Sequence, residues 1–212
     1  MTIDWVALDV GETLIDETRV WATWAREFGI TPFTFGAAMG AAITSGQDHR
    51  SVFDLLGVPN WREHAAAVEA NYGGFAAEDL YPDAIRTVER LQGQGRRVAI
   101  LANQPAIRHG QLLALGLRPD VIAMSEAMGV AKPDPAFFTR SLQLMGNPDP
   151  RSVAYVGDRV DNDVVASRNS GLRPVWIRRG PWSRLLEDTG GDAELVVWSL
   201  DELVDRLPEL DG

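Results

Sequence analysis

After residue 80 the chain repeats one unit: a short apolar run, a turn, and an amphipathic helical stretch. The runs are Arg97 to Ala102, Val121 to Ser125, Val153 to Gly157, Pro174 to Arg178 and Glu194 to Trp198. Each is too short for a helix of its own and rich in Val, Ile and Leu, as strands buried on both faces are. Between them, Pro82 to Gln94 carries Ile85, Val88 and Leu91 on one helical face, and Asp134-Pro135 opens a helix with Phe138, Leu142 and Met145 in line. Ile107 to Leu115, Asp161 to Ser170 and Ser199 to Leu207 read as further helices. Strands alternating with helices predict an α/β fold, a parallel sheet with helices packed on both faces.

One more run, Trp5 to Leu8, precedes this series and ends on Asp9. Between it and residue 80 no strand pattern occurs. Trp21, Trp24 and Phe28 share a helical face, Val52, Leu55 and Leu56 mark a second helix, and Arg62 to Tyr72 a third. Phe28 to Gln47 lacks charge, but Pro32, several hydroxyl residues and few large aliphatics make it a loop and a close-packed helix rather than a membrane span. The expected organisation is a core domain of residues 1–15 plus 80–212, with a small all-helical cap, 16–79, inserted after the first strand.

Thirty acidic against twenty basic residues give a formal charge of −10, which argues against nucleic acid or an anionic membrane as partner. The absence of Cys excludes disulfides, thiol catalysis and thiolate metal sites. His49, His64 and His109 have no metal-ligand spacing. Asp4 stands where a secretory leader would be basic, so the expected location is cytoplasmic.

The chemistry gathers just after the strand ends: Asp9 after the first, Asn103-Gln104 after the second, Lys132 in a Gly/Pro turn, and Asp158, Asp161 and Asp163 after Gly157. A parallel sheet brings these ends to one edge, where open α/β sheets bind ligands. A single Asp at a strand end is usually a turn residue. Several converging carboxylates would repel one another and need a hard cation, for which Mg2+ is suited. Lys132 is the only lysine in the chain, against nineteen arginines, which points to a site requiring a compact ammonium.

Four stretches in this order resemble the motifs of the haloacid dehalogenase-like (HAD) superfamily. Asp9-Val10-Gly11-Glu12-Thr13-Leu14 is similar to its nucleophile motif, Ile100 to Asn103 to the second, Lys132-Pro133 to the third, and Gly157-Asp158 with Asp163 to the fourth. The resemblance implies a Rossmann-like HAD core with a helical cap and a magnesium-dependent phosphatase acting on a small phosphorylated metabolite. It implies Asp9 as the nucleophile that carries an aspartyl-phosphate and Lys132 as the cation that steadies it. It gives Asp9, the Gly11 carbonyl, Asp158 and Asp163 as metal ligands, and Asn103, Lys132 and the Glu12-Thr13 turn as the phosphate cradle.

Two positions depart from the family pattern. Gly11 stands where phosphatases carry a second Asp, the general acid and base, and Ala102 stands where a hydroxyl usually is. Glu12 is a candidate replacement for the acid. The departures imply a slow phosphatase favouring acyl or aryl phosphates, with two alternatives: a non-catalytic module binding a phosphorylated ligand or a protein, and, as a lesser one, a 2-haloacid dehalogenase. The oligomeric state is left open.

Overall fold

The computed structural model describes residues 2–186 and 191–212. Six strands, β1 (Trp5–Leu8), β2 (Arg97–Ala102), β3 (Val121–Met124), β4 (Val153–Gly157), β5 (Arg173–Ile177) and β6 (Leu195–Val197), pair in parallel in the order β3-β2-β1-β4-β5-β6. β1 is central because it is apolar on both faces: all four of its residues are buried. Its neighbours are β2 on one side and β4 on the other, so the strand order reverses beside it. The crevice beyond its carboxyl end is where such sheets hold ligands.

Alternate residues feed two separate cores. Val6, Leu8, Val98, Ile100, Val156 and Ile177 point to one face, where they meet helices α5 (Ala84–Gly93) and α11 (Leu200–Arg206) through Val88, Leu91, Leu203 and Val204. Trp5, Ala7, Ala99, Leu101 and Tyr155 point to the other, against Phe137 and Phe138 of α8 (Pro135–Leu144). Two-sided burial is the reason these strands read as unbroken apolar runs. Helices α6 (Arg108–Ala114), α7 (Ser125–Met128), α9 (Ala166–Asn169) and α10 (Gly180–Leu185) complete the alternation.

The helix expected over Asp161 to Ser170 begins differently. Val160–Val165 is a wide π turn, and the Arg159 carbonyl accepts from the N–H groups of both Asp163, at 3.0 Å, and Val164, at 3.2 Å. Asp163 in return accepts from the Arg159 N–H at 3.0 Å, so its own carboxylate holds the widened turn.

The segment between β1 and α5 contains α1 (Thr18–Glu27), α2 (Pro32–Thr44), α3 (Ser51–Leu55) and α4 (Ala65–Tyr72). Thr31 caps α2, accepting from the Thr34 N–H, and Pro32 opens it. These helices enclose their own apolar cluster around Phe35, Met39, Val52 and Phe53, packed by Trp21, Trp24 and Trp61. Phe53 is its hub, stacked on Trp61 at 4.5 Å and edge-on to Trp24 at 5.1 Å. Trp182 of α10 inserts into the same cluster, and polar bridges supplement it: Arg108 grips Glu69 with bonds of 2.7 and 2.5 Å, and Arg159 reaches His49 at 3.1 Å. Among the described residues no helix is long and apolar enough to cross a membrane.

Truncating Phe53 to Ala empties the centre of the helical cluster and is expected to cost about 3–5 kcal/mol. Urea unfolding followed by tryptophan fluorescence reads this loss. His49 supplies a second test. Burial, reinforced by Arg159 and Arg50 against the opposing charges of Asp48 and Asp161, pushes its imidazole down to about 4. The unfolded chain takes up that proton near pH 6.5, so the native state binds fewer protons between the two values. Stability is full above about pH 6.5 and falls as the pH drops toward 4, by on the order of 3 kcal/mol relative to His49→Gln. Unfolding free energies of the two proteins at pH 8 and pH 4.5 give the comparison, and a constant difference would contradict it.

Candidate active site

Asp9 extends β1 by one residue, its N–H donating to the Val156 carbonyl at 2.9 Å, and the chain then turns sharply. The Val10 carbonyl accepts from the N–H groups of Leu14 and Ile15, both at 2.9 Å, which closes the turn. Glu12 sits in it with φ of 50°, a left-handed conformation that costs an L residue about 1–2 kcal/mol. Its carboxylate offsets that cost, accepting from the Tyr81 hydroxyl at 2.6 Å and the Glu17 N–H at 3.1 Å. Gly180 leaves room for it: a Cβ there would lie 2.5 Å from Glu12 Cγ.

Two members of the expected phosphate cradle are therefore turned to other work. Both Glu12 oxygens are engaged, and its N–H donates to the Ile15 carbonyl at 2.7 Å. Thr13 is fully buried, its N–H donates to Val10 and its carbonyl accepts from Arg179. Both residues hold the turn. Asn103 is likewise occupied: its side-chain carbonyl accepts from the Lys132 N–H at 2.8 Å and its amide donates to the Lys132 carbonyl at 2.9 Å. A side chain after β2 thus clamps the loop that carries the lysine.

The Lys132 ammonium lies at the centre, 2.7 Å from Asp9, 2.5 Å from Asp163 and 2.8 Å from the Tyr155 hydroxyl. Those contacts use its three donors. Tyr155 donates onward to the Leu101 carbonyl at 2.9 Å and so must accept from the lysine. Burial would discharge Lys132, but the charges of Asp163 and Asp9 outweigh it and hold the ammonium well above its ordinary value.

Asp9, Asp158 and Asp163 each present an oxygen within 4.8 Å of the other two, and all three are buried. Gly157 permits the approach of Asp163, whose carboxyl carbon would be 2.3 Å from a Cβ there. Burial and mutual repulsion push Asp158 well above the usual carboxylate range. Asp9 rises to about 6, burial and Asp163 prevailing over Lys132. One oxygen of Asp158 is buried without any hydrogen-bond partner. Three converging carboxylates, two of them sharing one ammonium and the third with a bare oxygen, form a donor set that suits a hard divalent cation.

Three site residues carried no signal of their own in the sequence. Tyr155 reads as a strand residue, and Arg159, bound to Asp161 at 2.6 Å, as a surface cation. Glu17 reads as a helix-opening acid, yet its carboxyl enters the cavity beside Gly11, where a Cβ would be 2.6 Å from Glu17 Oε1. Burial, with Glu12 and Asp9 nearby, pushes Glu17 up to about 7. Above this acidic floor lies a cavity of about 630 Å³, walled by Trp21, Trp24 and Phe53 and edged by Arg50, Arg108 and Arg159.

The family profile described as haloacid dehalogenase-like hydrolase matches residues 3–171. The glyceraldehyde 3-phosphate phosphatase of Methanopyrus kandleri is 31% identical over 177 residues, 78% of this chain and 75% of that protein. Among solved structures, the Bacillus subtilis HAD-hydrolase YfnB bound to magnesium superposes with a TM-score of 0.70, at 19% identity over 98% of this chain and 99% of that one. The L-2-haloacid dehalogenase RSc1362 gives a TM-score of 0.72 at 16% identity, over 98% and 99%. These structural likenesses establish the fold, while the profile and the Methanopyrus relative establish kinship: the chain belongs to the haloacid dehalogenase-like hydrolases.

Proposed function

We propose that this protein is a magnesium-dependent phosphatase that takes the phosphoryl group of a small phosphorylated metabolite onto Asp9 and passes it to water. The observation that carries the reading is the buried Asp9–Lys132–Asp163 contact beside an unpartnered oxygen of Asp158. Asp9, Asp158 and Asp163, with the carbonyl of Gly11, would hold the magnesium. The ion, when bound, neutralises the carboxylates and draws negative charge from the phosphoryl oxygens.

The remaining work falls to the chain. The Asp9 carboxylate attacks phosphorus as the bond to the leaving oxygen breaks, giving an aspartyl-phosphate that water then hydrolyses. Lys132 keeps Asp9 ionised and its ammonium offsets charge spreading over the phosphoryl oxygens. Asn103 and Tyr155 fix the lysine, Asn103 through the backbone and Tyr155 through the ammonium. Of the arginines at the cavity edge, Arg108 and Arg159 are paired with Glu69 and Asp161, while Arg50 has no carboxylate partner among the described residues and favours an anionic substrate over a neutral one. The domain division at residues 15/16 and 79/80 belongs to this reading, the helical segment supplying the cavity wall that selects the substrate.

A phosphate-ester screen headed by glyceraldehyde 3-phosphate, the compound in the Methanopyrus relative's name, tests the proposal with and without magnesium. Turnover is expected to need the metal and to fall to background in Asp9→Asn. Lys132→Met is expected to lose about 10²–10³ in kcat/KM, the scale for removing one charge-stabilising donor. Two results would overturn the reading. One is 2-haloacid turnover in excess chelator. The other is no turnover at all while magnesium and beryllofluoride still raise the melting temperature, the behaviour of a binding module.

A further inference from the structure

We propose that Glu17 is the general acid and base of this enzyme, supplying from the start of α1 the carboxyl that the nucleophile turn lacks at Gly11. The inference rests on the phosphatase reading and deepens it. A Cβ on Gly11 would lie 2.6 Å from Glu17 Oε1 and 2.9 Å from its carboxyl carbon, closer than real side chains approach. Gly11 is outside the left-handed region, so its backbone would accept an ordinary L residue. The carboxyl of Glu17 fills the place that a side chain at position 11 would take.

Two hydrogen bonds hold the carboxyl there and a third fixes the backbone that carries it. The Trp21 indole N–H, one helical turn on, donates to Oε2 at 3.2 Å, and the Gln104 amide donates to Oε1 at 3.4 Å. The Glu17 N–H donates to Glu12, so the acid next to Gly11 in sequence fixes the acid next to it in space. Glu17 and Asp9 face the same cavity, and no basic side chain contacts the Glu17 carboxyl among the described residues. Long hydrogen bonds of this kind suit a group that must exchange partners during turnover.

The two half-reactions balance on this carboxyl. In the first, an Asp9 oxygen bonds to phosphorus, the phosphorus–oxygen bond to the leaving group breaks, and the protonated Glu17 gives its proton to that oxygen, releasing an alcohol. In the second, water attacks the aspartyl-phosphate and its proton passes to the Glu17 carboxylate. The phosphorus–oxygen bond to Asp9 breaks, so inorganic phosphate leaves and both carboxyls return to their starting states.

The test compares an alkyl phosphate, which needs a proton on its leaving oxygen, with p-nitrophenyl phosphate, which does not. In Glu17→Gln, kcat on the alkyl ester is expected to fall by about 10²–10⁴, the range for losing a general acid, with KM little changed. On p-nitrophenyl phosphate the same variant should release nitrophenol in a burst and accumulate phosphorylated Asp9, seen by intact mass, because phosphorylation outruns hydrolysis. Gly11→Asp combined with Glu17→Ala puts a carboxyl back from the other direction and should recover alkyl-ester turnover relative to Glu17→Ala alone. Equal losses on both esters without phosphoenzyme, or unchanged activity in Glu17→Gln at wild-type melting temperature, would overturn the role of Glu17 alone. Failure of the wild-type protein on both esters would overturn the phosphatase reading and the role of Glu17 with it.

Discussion

The contact of one buried ammonium with two carboxylates organises this molecule. Asp9, Asp158 and Asp163 come from the ends of two neighbouring strands and from a widened turn, and folding forces them together. Breaking such a buried set by removing the cation leaves charge with no compensation, which is far more costly than never assembling it. Several other features follow from keeping Lys132 in place: the two-bond clamp by Asn103, the Tyr155 hydroxyl tied to Leu101, and Phe137 stacked under the ammonium at 5.9 Å. Strands β1, β2 and β4 thus all contribute to the position of a side chain that none of them carries.

The sheet and its edge were legible because their cause is local. A strand buried on both faces has to be apolar throughout, so Val98 to Leu101 and Val153 to Val156 announce themselves, and topology then fixes where Asp9 and Asp158 must meet. The lone lysine was legible for a different reason, the contrast with nineteen arginines.

What could not be read were orientations decided by distant packing. The Glu12 carboxylate is taken up at the cavity floor by Tyr81 and by the bare face of Gly180, residues 69 and 168 positions further along. Thr13 is engaged by Arg179 from a similar distance, and Asn103 is spoken for by a loop that follows β3. Glu17 looked like a helix-opening acid because acids are favourable there in any helix. Only the three-dimensional turn brings it over Gly11. The π turn at Val160–Val165 has no pattern either, since its widening depends on the Asp163 carboxylate finding the Arg159 N–H.

The composition that singled out Lys132 has a consequence outside catalysis. The chain's one ammonium side chain is only 6% exposed and already gives all three donors to partners. Every other side-chain cation on the folded surface is a guanidinium or an imidazole. Amine-directed chemistry, whether a laboratory acylating reagent or an enzyme that acetylates or tags lysines, therefore finds no side chain to act on while the fold is intact. Modification of Lys132 in a sample would report that the site had opened, which makes this single residue a built-in gauge of the native state.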